Sequence, residues 1–193
     1  MDEQPSSNTD ISLNSKETEA NSSINASFES QCPISPSMKN HIINAIVANL
    51  KDIIEENKKN NKYKFILKDK IFYLENLPPI SLEKYVQHLV KYTQMNISTL
   101  ILAVMYIDEF CEKYKYFLTL NNIYRLILIS VFISLKYNED IFINANAYAS
   151  IAGVSVEDLK NLEFQMCVAL DFSFFINSKN YQQYFQYFSQ YSA

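Results

Sequence analysis

Glycine and proline usage constrains this chain more than any other feature of its sequence. Gly153 is the only glycine among the 193 residues, and no proline follows Pro79. Hairpin-rich β folds need several turn residues that accept positive φ, and dinucleotide-binding motifs, P-loops and kinase glycine-rich loops each need several glycines. The sequence therefore excludes those nucleotide-binding sites and predicts that the chain after Pro79 is helical.

The N-terminal segment differs in composition from the rest of the chain. Residues 1–37 contain ten serines, six acidic residues, one lysine and one aromatic residue. Such a segment buries too little apolar surface to offset the entropy lost on ordering, so we predict a disordered, acidic, Ser-rich tail. It has neither the basic start nor the apolar core of a secretory signal.

Charge and cysteine usage exclude further classes of site. The chain carries a net charge of −4, of which the tail supplies −5 (six acidic residues and one lysine), so the remainder is close to neutral at +1. A nucleic-acid-binding domain shows a basic face, and we therefore expect no nucleic-acid partner. The three cysteines form no CxxC pair, and we predict no disulfide framework, metal site or cofactor.

The spacing of apolar residues predicts a helical domain with a helix on either side of it. An amphipathic helix is expected at 38–57, followed by a solvated lysine-rich linker that ends at residue 71. Ser81 and Ser155 are N-cap candidates, Asp158 completes a capping-box-like pair with Ser155, and Gly153 is a helix stop. The remaining predicted helices are 81–93, 97–113, 121–138, 145–151, 155–170 and an aromatic C-terminal helix at 178–190, within the segment 177–193.

The helix at 121–138 is predicted to be the centre of the bundle. Residues 126–135 read LILISVFISL and are apolar on every face except at two serines. A helix that is apolar all round is either surrounded by other helices or inserted in a membrane. This run is far shorter than the roughly 20 residues that a membrane span needs, so we expect no membrane association.

The sequence contains no recognisable active site. His41 and His88 lie on separate predicted helices without neighbouring metal ligands, and we interpret both as surface residues. Asp108 and Glu109 are adjacent, but consecutive helix positions point about 100° apart. We interpret this pair as part of a solvated helix end or of a structural salt bridge.

Lys136 and Glu163 are charged residues in or beside apolar helices and call for an explanation. Lys136 ends the most apolar helix, where the helix dipole favours a cation. Glu163 could pair with Lys160, three residues earlier on its own helix. The alternative is that both side chains project at one rim of the bundle and bind a partner.

Five short motifs, in order along the chain, resemble the cyclin box. They are Lys91-Tyr92, Tyr106-Ile107-Asp108, Lys136-Tyr137, Tyr148-Ala149 with Gly153, and Leu162-Glu163. The resemblance covers residues 72–176 and is strongest to single-box P/U-type cyclins, which are related to the yeast phosphate-pathway cyclin. It implies five helices around a central third one, flanked here by an N-terminal helix (in 38–71) and a C-terminal helix (in 177–193).

The same resemblance implies a function as a regulatory subunit without enzymatic activity. Cyclins bind a cyclin-dependent protein kinase as a heterodimer and activate it by stabilising the inward αC helix and the ordered activation segment. In the family, the lysine that closes the third helix and the glutamate within the fifth engage the kinase. Those positions are Lys136 and Glu163 here, and the nearby apolar contacts correspond to Tyr137, Cys167, Phe172 and Phe174.

The sequence departs from the family pattern at several positions. Glu109 stands where arginine is common, which reverses a local charge, and Ala152 stands where a second glycine is common. The first helix of the box lacks the motif with which cell-cycle cyclins form an RxL-docking groove, so we expect no such groove. We expect no second cyclin box, because few residues follow residue 176.

Three further expectations concern regulation, location and alternatives. Ser35-Pro36, which we place in the flexible tail, is a candidate phosphorylation site for a proline-directed kinase. The expected location is the nucleus, the cytoplasm or both, and the process could be cell-cycle control or nutrient signalling. The alternatives are a cyclin-fold protein that binds transcription machinery and an all-α scaffold whose box-like motifs serve core packing alone.

Overall fold

All regular secondary structure in the described part of the chain is helical. The computed structural model describes residues 34–60, 71–140 and 143–191, and these contain seven helices and no strand. The all-α prediction is confirmed, whereas the predicted disorder of the tail before residue 34 and most of the lysine-rich linker lie outside the described residues. The helices are α1 Pro36–Lys59, α2 Leu82–Thr93, α3 Ile97–Tyr114, α4 Leu120–Asn138, α5 Ala145–Ala152, α6 Val156–Ala169 and α7 Ser178–Gln190.

Short polar side chains and one glycine set the helix boundaries. The hydroxyl of Ser81 accepts a hydrogen bond from the backbone N–H of Lys84 at 3.3 Å and begins α2. Gly153, with φ of +74°, ends α5 in the left-handed conformation that glycine accepts most readily. The Ser155 hydroxyl accepts from the N–H of Asp158 at 3.0 Å and begins α6, which is the first half of the predicted capping box.

Helix α4 lies at the centre of the core, as its composition predicts. Every residue from 126 to 135 is buried, including both serines. The Ser134 hydroxyl donates to the backbone oxygen of Thr99 on α3 at 2.8 Å, so this polar group is satisfied inside the core. Each fully buried leucine or isoleucine of this helix contributes about 1.5–3 kcal/mol to folding. Within the described ranges, none of the helices combines the length and the apolar character needed to cross a bilayer.

Helix α7 is held against α1 and α3 by tyrosine hydroxyl groups. The Tyr184 hydroxyl donates to the carboxylate of Asp108 on α3 at 2.8 Å, and burial raises the pKa of that carboxyl. The Tyr191 hydroxyl donates to Asp52 on α1 at 2.6 Å. Asp108 therefore serves to attach α7, whereas the adjacent Glu109 is exposed, as expected for neighbouring positions that point in different directions.

The two histidines differ in their surroundings. His41 is exposed on α1, as predicted. His88 is half-buried: its Nε2 atom lies 2.9 Å from the backbone oxygen of Ile151, and its ring contacts that of Tyr92. His88 thus links α2 to α5, a role that its isolated position in the sequence does not indicate.

Helix α1 begins two residues earlier than the spacing of its apolar residues predicts. Ser35 is the N-cap, its hydroxyl accepts a hydrogen bond from the N–H of Met38 at 3.2 Å, and Pro36 occupies the first turn. Proline is well suited to that position because its fixed φ fits the helix and its missing N–H would be unpaired there. Ser35-Pro36 is therefore part of the folded domain and not of the preceding tail, although phosphorylation of Ser35 stays a prediction.

Replacing Ser35 tests this assignment of the helix start. We expect Ser35→Ala to lower the free energy of unfolding by about 1 kcal/mol because the N–H group loses its acceptor. Ser35→Asp keeps an acceptor and adds a negative charge at the positive end of the helix dipole, so it should match wild type. Urea denaturation followed by circular dichroism measures both, and equal destabilisation by the two variants would contradict the capping role.

Candidate partner-binding site

The packing of α4 against α6 brings Lys136 and Glu163 together. The Nζ atom of Lys136 lies 2.5 Å from the Oε1 atom of Glu163, and the side chains are 35% and 21% exposed. The same Nζ atom lies 5.5 Å from the centre of the Phe132 ring. Glu163 thus pairs across two helices and not with Lys160 on its own helix. Both charges reach the surface at one place, as the partner-binding hypothesis requires.

Aromatic rings pack close to this ion pair. The ring of Tyr137, the residue after Lys136, lies 4.3 Å from the ring of Phe174 between centroids. Phe174 is only 2% exposed, and its backbone oxygen accepts a hydrogen bond from the buried Tyr106 hydroxyl at 3.0 Å. Phe174 therefore belongs to the core and does not itself present a surface to a partner.

Cys167 is a second buried residue of the predicted site. It lies one turn after Glu163 on α6 and is 7% exposed. Burial, and then the nearby Glu163 carboxylate, raise the pKa of the Cys167 thiol to about 11, against a smaller opposing effect of Lys136. Burial likewise raises the pKa of the Tyr137 hydroxyl. Both side chains are therefore neutral at physiological pH.

An apolar ridge (Phe164, Val168 and Phe172) follows the outer face of α6 and the turn after it. The three side chains are 60%, 43% and 55% exposed, respectively. Phe164 and Val168 are one helical turn apart and so lie on the same face. The sequence analysis did not identify Phe164 and Val168 as site residues. Both are apolar, yet neither is among the buried residues of α6. The nearby Phe175, also missed, is 45% exposed.

The turn that carries Phe172 has an unusual backbone. Asp171 and Phe172 have φ values of +52° and +54°, a conformation that glycine normally occupies. The N–H of Phe172 donates to the backbone oxygen of Cys167 at 2.8 Å, and Asp171 forms an ion pair with Lys113 at the end of α3. A left-handed backbone costs about 1–2 kcal/mol at a non-glycine residue, so the surrounding contacts must hold Phe172 in place.

A separate cleft of about 400 Å³ lies near the start of α2, between α4 and the α5–α6 turn. Among its lining residues, Tyr85 donates its hydroxyl to the backbone oxygen of Ala152 at 3.2 Å, and Tyr124 donates to that of Ile80 at 2.8 Å. The Arg125 guanidinium donates to the backbone oxygen of Ile71. Because these groups already bind the chain itself, we place the candidate site at the ion pair and the apolar ridge.

Comparison with protein families decides which fold family this helical bundle represents. The sequence model described as Cyclin matches residues 5–174, most of the chain. The chain belongs to the cyclin family. Members of that family are regulatory subunits and not themselves enzymes.

Curated relatives identify the branch of the family. The chain is 29% identical to Cyclin-U2-1 of Arabidopsis thaliana over 118 residues, and this alignment covers 61% of this chain and 53% of the relative. It is 26% identical over 114 residues to Cyclin-P3-1 of Oryza sativa subsp. japonica, covering 59% and 48%. It is also 26% identical over 125 residues to PHO85 cyclin-7 of Saccharomyces cerevisiae, covering 58% and 44%. This is a single-box cyclin of the P/U type, and it spans about half the length of the curated relatives it matches.

The two single-residue departures from the family pattern, Glu109 and Ala152, have local explanations in this cyclin. Glu109 is exposed, and the ion pair formed at this end of α3 joins Lys113 to Asp171. Ala152 is the last residue of α5, so the single glycine that follows it is sufficient to end the helix. Neither substitution prevents the packing of α4 against α6 on which the candidate site depends.

Proposed function

We propose that this cyclin binds and activates a cyclin-dependent protein kinase as a heterodimer. The observation that carries the proposal is the partly exposed Lys136–Glu163 ion pair beside the apolar ridge. Family membership supports the kinase as the class of partner, and the name of one relative, PHO85 cyclin-7, associates that relative with PHO85.

The apolar ridge supplies the contact area of the proposed interface. Large apolar side chains that cluster on a surface mark protein-binding sites, and aromatic residues are frequent among the few that dominate binding energy. Phe164 and Phe172 are both more than half exposed in the free chain. We propose that they pack against an apolar face of the kinase, beside the αC helix.

The ion pair supplies orientation. A lysine ammonium has three donors and a carboxylate has about four acceptor sites, so the bond between Lys136 and Glu163 leaves capacity on both groups. Burying the pair under a partner incurs a desolvation penalty unless the remaining groups find new hydrogen bonds. We propose that backbone and charged groups of the kinase provide these bonds and thereby fix the docking geometry.

Activation follows from preferential binding to one conformation of the kinase. In the active state of a protein kinase, a glutamate of the αC helix pairs with the catalytic lysine and the activation segment is ordered. A cyclin that binds this state more tightly shifts the kinase population towards it. In this proposal Tyr137, Cys167 and Phe174 support the surface from below, while Lys136, Glu163 and Phe172 contact the kinase.

Affinity purification from the cells that produce this cyclin tests the proposal. We expect the tagged protein to recover a cyclin-dependent kinase, identified by mass spectrometry, with protein kinase activity in the eluate. A Lys136→Ala/Glu163→Ala variant should recover several-fold less kinase while keeping its helical circular dichroism spectrum. A folded wild-type protein that recovers no kinase would instead favour a helical scaffold or a partner in the transcription machinery.

We further propose that the heterodimer acts in the nucleus, the cytoplasm or both. The proposal follows from the class of partner. Fluorescence imaging of the tagged protein in its own cells tests it, and secretion into the medium would contradict it.

A further inference from the structure

Helix α3 is tied at three points to the last residue of α6 and the segment that follows it. The Tyr114 hydroxyl donates to the backbone oxygen of Ala169 at 3.2 Å. The Tyr106 hydroxyl donates to the backbone oxygen of Phe174 at 3.0 Å. Between these anchors, the Lys113 ammonium forms an ion pair with Asp171.

The anchored segment contains the most strained backbone of the candidate site. Asp171 and Phe172 are two consecutive non-glycine residues with positive φ. Aspartate tolerates this conformation better than most residues, whereas a bulky aromatic residue rarely adopts it. A strained conformation persists only where the surrounding contacts hold it, and strain of this kind concentrates at binding sites.

We propose that Lys113 is a positioning residue that holds the Asp171–Phe172 turn so that the Phe172 ring points outward, ready for the partner. Lys113 acts through Asp171 and does not itself touch the kinase. The inference rests on the proposed function, because it assigns a role in kinase binding to Phe172. Its structural half, the restraint of the turn, concerns the free cyclin alone.

The charges around Lys113 are consistent with this role. Asp171 accepts its hydrogen bond, and Glu109, one turn earlier on α3, adds a second negative charge nearby. The Lys113 side chain is 36% exposed and that of Asp171 is 77% exposed, so solvent weakens the pair. We therefore expect an effect of about two- to fivefold on local opening, typical of an exposed ion pair.

Hydrogen exchange of the free protein tests the structural half of the inference. In Lys113→Met the backbone amides of Phe172 and Ser173, which donate to Cys167 and Leu170, should exchange about two- to fivefold faster than in wild type. Lys160→Met, which removes an exposed lysine from α6, is the matched control and should leave these amides unchanged. Equal exchange in wild type and Lys113→Met would overturn the inference.

A double-mutant cycle tests the functional half. The probe is the kinase recovered with the wild-type cyclin, purified and titrated against Lys113→Met, Phe172→Ala and the double variant. Lys113→Met should weaken binding about two- to fivefold in the wild-type background and have no effect in the Phe172→Ala background, while Lys113→Arg should bind as wild type does.

The outcomes separate this inference from the function on which it rests. If Lys113→Met weakens binding equally in both backgrounds, Lys113 contacts the kinase directly and the positioning role is wrong. If Phe172→Ala binds as tightly as wild type, Phe172 is not a contact and the inference fails while the proposed function stands. If the folded wild-type cyclin binds no kinase, the proposed function itself fails.

Discussion

Exchanging the two charges of the site, in a Lys136→Glu/Glu163→Lys variant, is expected to abolish tight kinase binding while preserving the fold. The exchanged side chains can still pair, since one is again a lysine and the other a glutamate at the same two positions. The free energy of unfolding should therefore change by no more than about 1 kcal/mol, partly through loss of the contact between Lys136 and the Phe132 ring. Replacing both residues by alanine separates the effect on binding from the effect on stability less clearly, because it also breaks the intramolecular ion pair.

The loss of binding should be large because each exchanged group meets the wrong charge in the kinase. A mispaired or unpaired charge in a buried interface costs about 2–5 kcal/mol, so we expect the dissociation constant to rise at least about 30-fold. Titration calorimetry against the purified kinase measures the binding, and thermal unfolding measures the stability.

The chain provides a matched control for this exchange. Lys51 on α1 and Glu83 on α2 form an ion pair of 3.5 Å, and their side chains are about half exposed. A Lys51→Glu/Glu83→Lys variant makes the same chemical exchange between two helices, outside the proposed interface, and should bind the kinase as wild type does. Unchanged binding by the Lys136/Glu163 exchange would favour a purely structural role for the pair.

The parts of the fold that depend on local sequence could be predicted, and those that depend on helix packing could not. The unbroken apolar run at 126–135 identifies the central helix because only a surrounded helix can bury every face. Ser81, Gly153 and Ser155 mark helix ends because capping involves residues a few positions apart. The N-cap at Ser35 was missed because the serine-rich composition of residues 1–37 concealed it.

The candidate site required the three-dimensional arrangement. The distance between Lys136 and Glu163 depends on how α4 packs against α6, and the family resemblance alone indicated their proximity. In the sequence DFSFF, Phe172 and Phe174 look equivalent, yet one is 55% and the other 2% exposed. The difference arises at Asp171 and Phe172, which have positive φ values. The sequence does not indicate this conformation, because neither residue is glycine.

Glu139 is expected to be the polar residue with the largest effect on stability among those near the site. It follows directly after α4, and its Oε1 atom accepts hydrogen bonds from the backbone N–H of Asn96 at 3.1 Å and from the Thr99 hydroxyl at 2.5 Å. Its Oε2 atom accepts from the Asn96 side chain at 3.1 Å. Asn96 is the N-cap of α3 but makes no capping bond with its own side chain. The Glu139 carboxylate therefore caps α3 from the end of a different helix.

Glu139→Ala should lower the free energy of unfolding by about 2–4 kcal/mol. Hydrogen bonds to a charged group contribute about 1.5–3 kcal/mol, and the carboxylate also interacts favourably with the positive end of the α3 dipole. The Thr99 hydroxyl, on a residue with no exposed surface, would lose its acceptor. Glu139→Gln keeps one oxygen acceptor without the charge and should cost about half as much.

Urea denaturation of Glu139→Ala, Glu139→Gln and Asp140→Ala measures these differences. Asp140 is the exposed neighbour of Glu139, and its replacement should change stability by no more than about 0.5 kcal/mol. A Glu139→Ala variant as stable as Asp140→Ala would contradict the capping role.

Because Glu139 lies three residues after Lys136, its loss also frees the end of α4 that carries the ion pair. Kinase binding by Glu139→Ala should therefore weaken with rising temperature before the protein as a whole unfolds, whereas binding by Asp140→Ala should follow wild type.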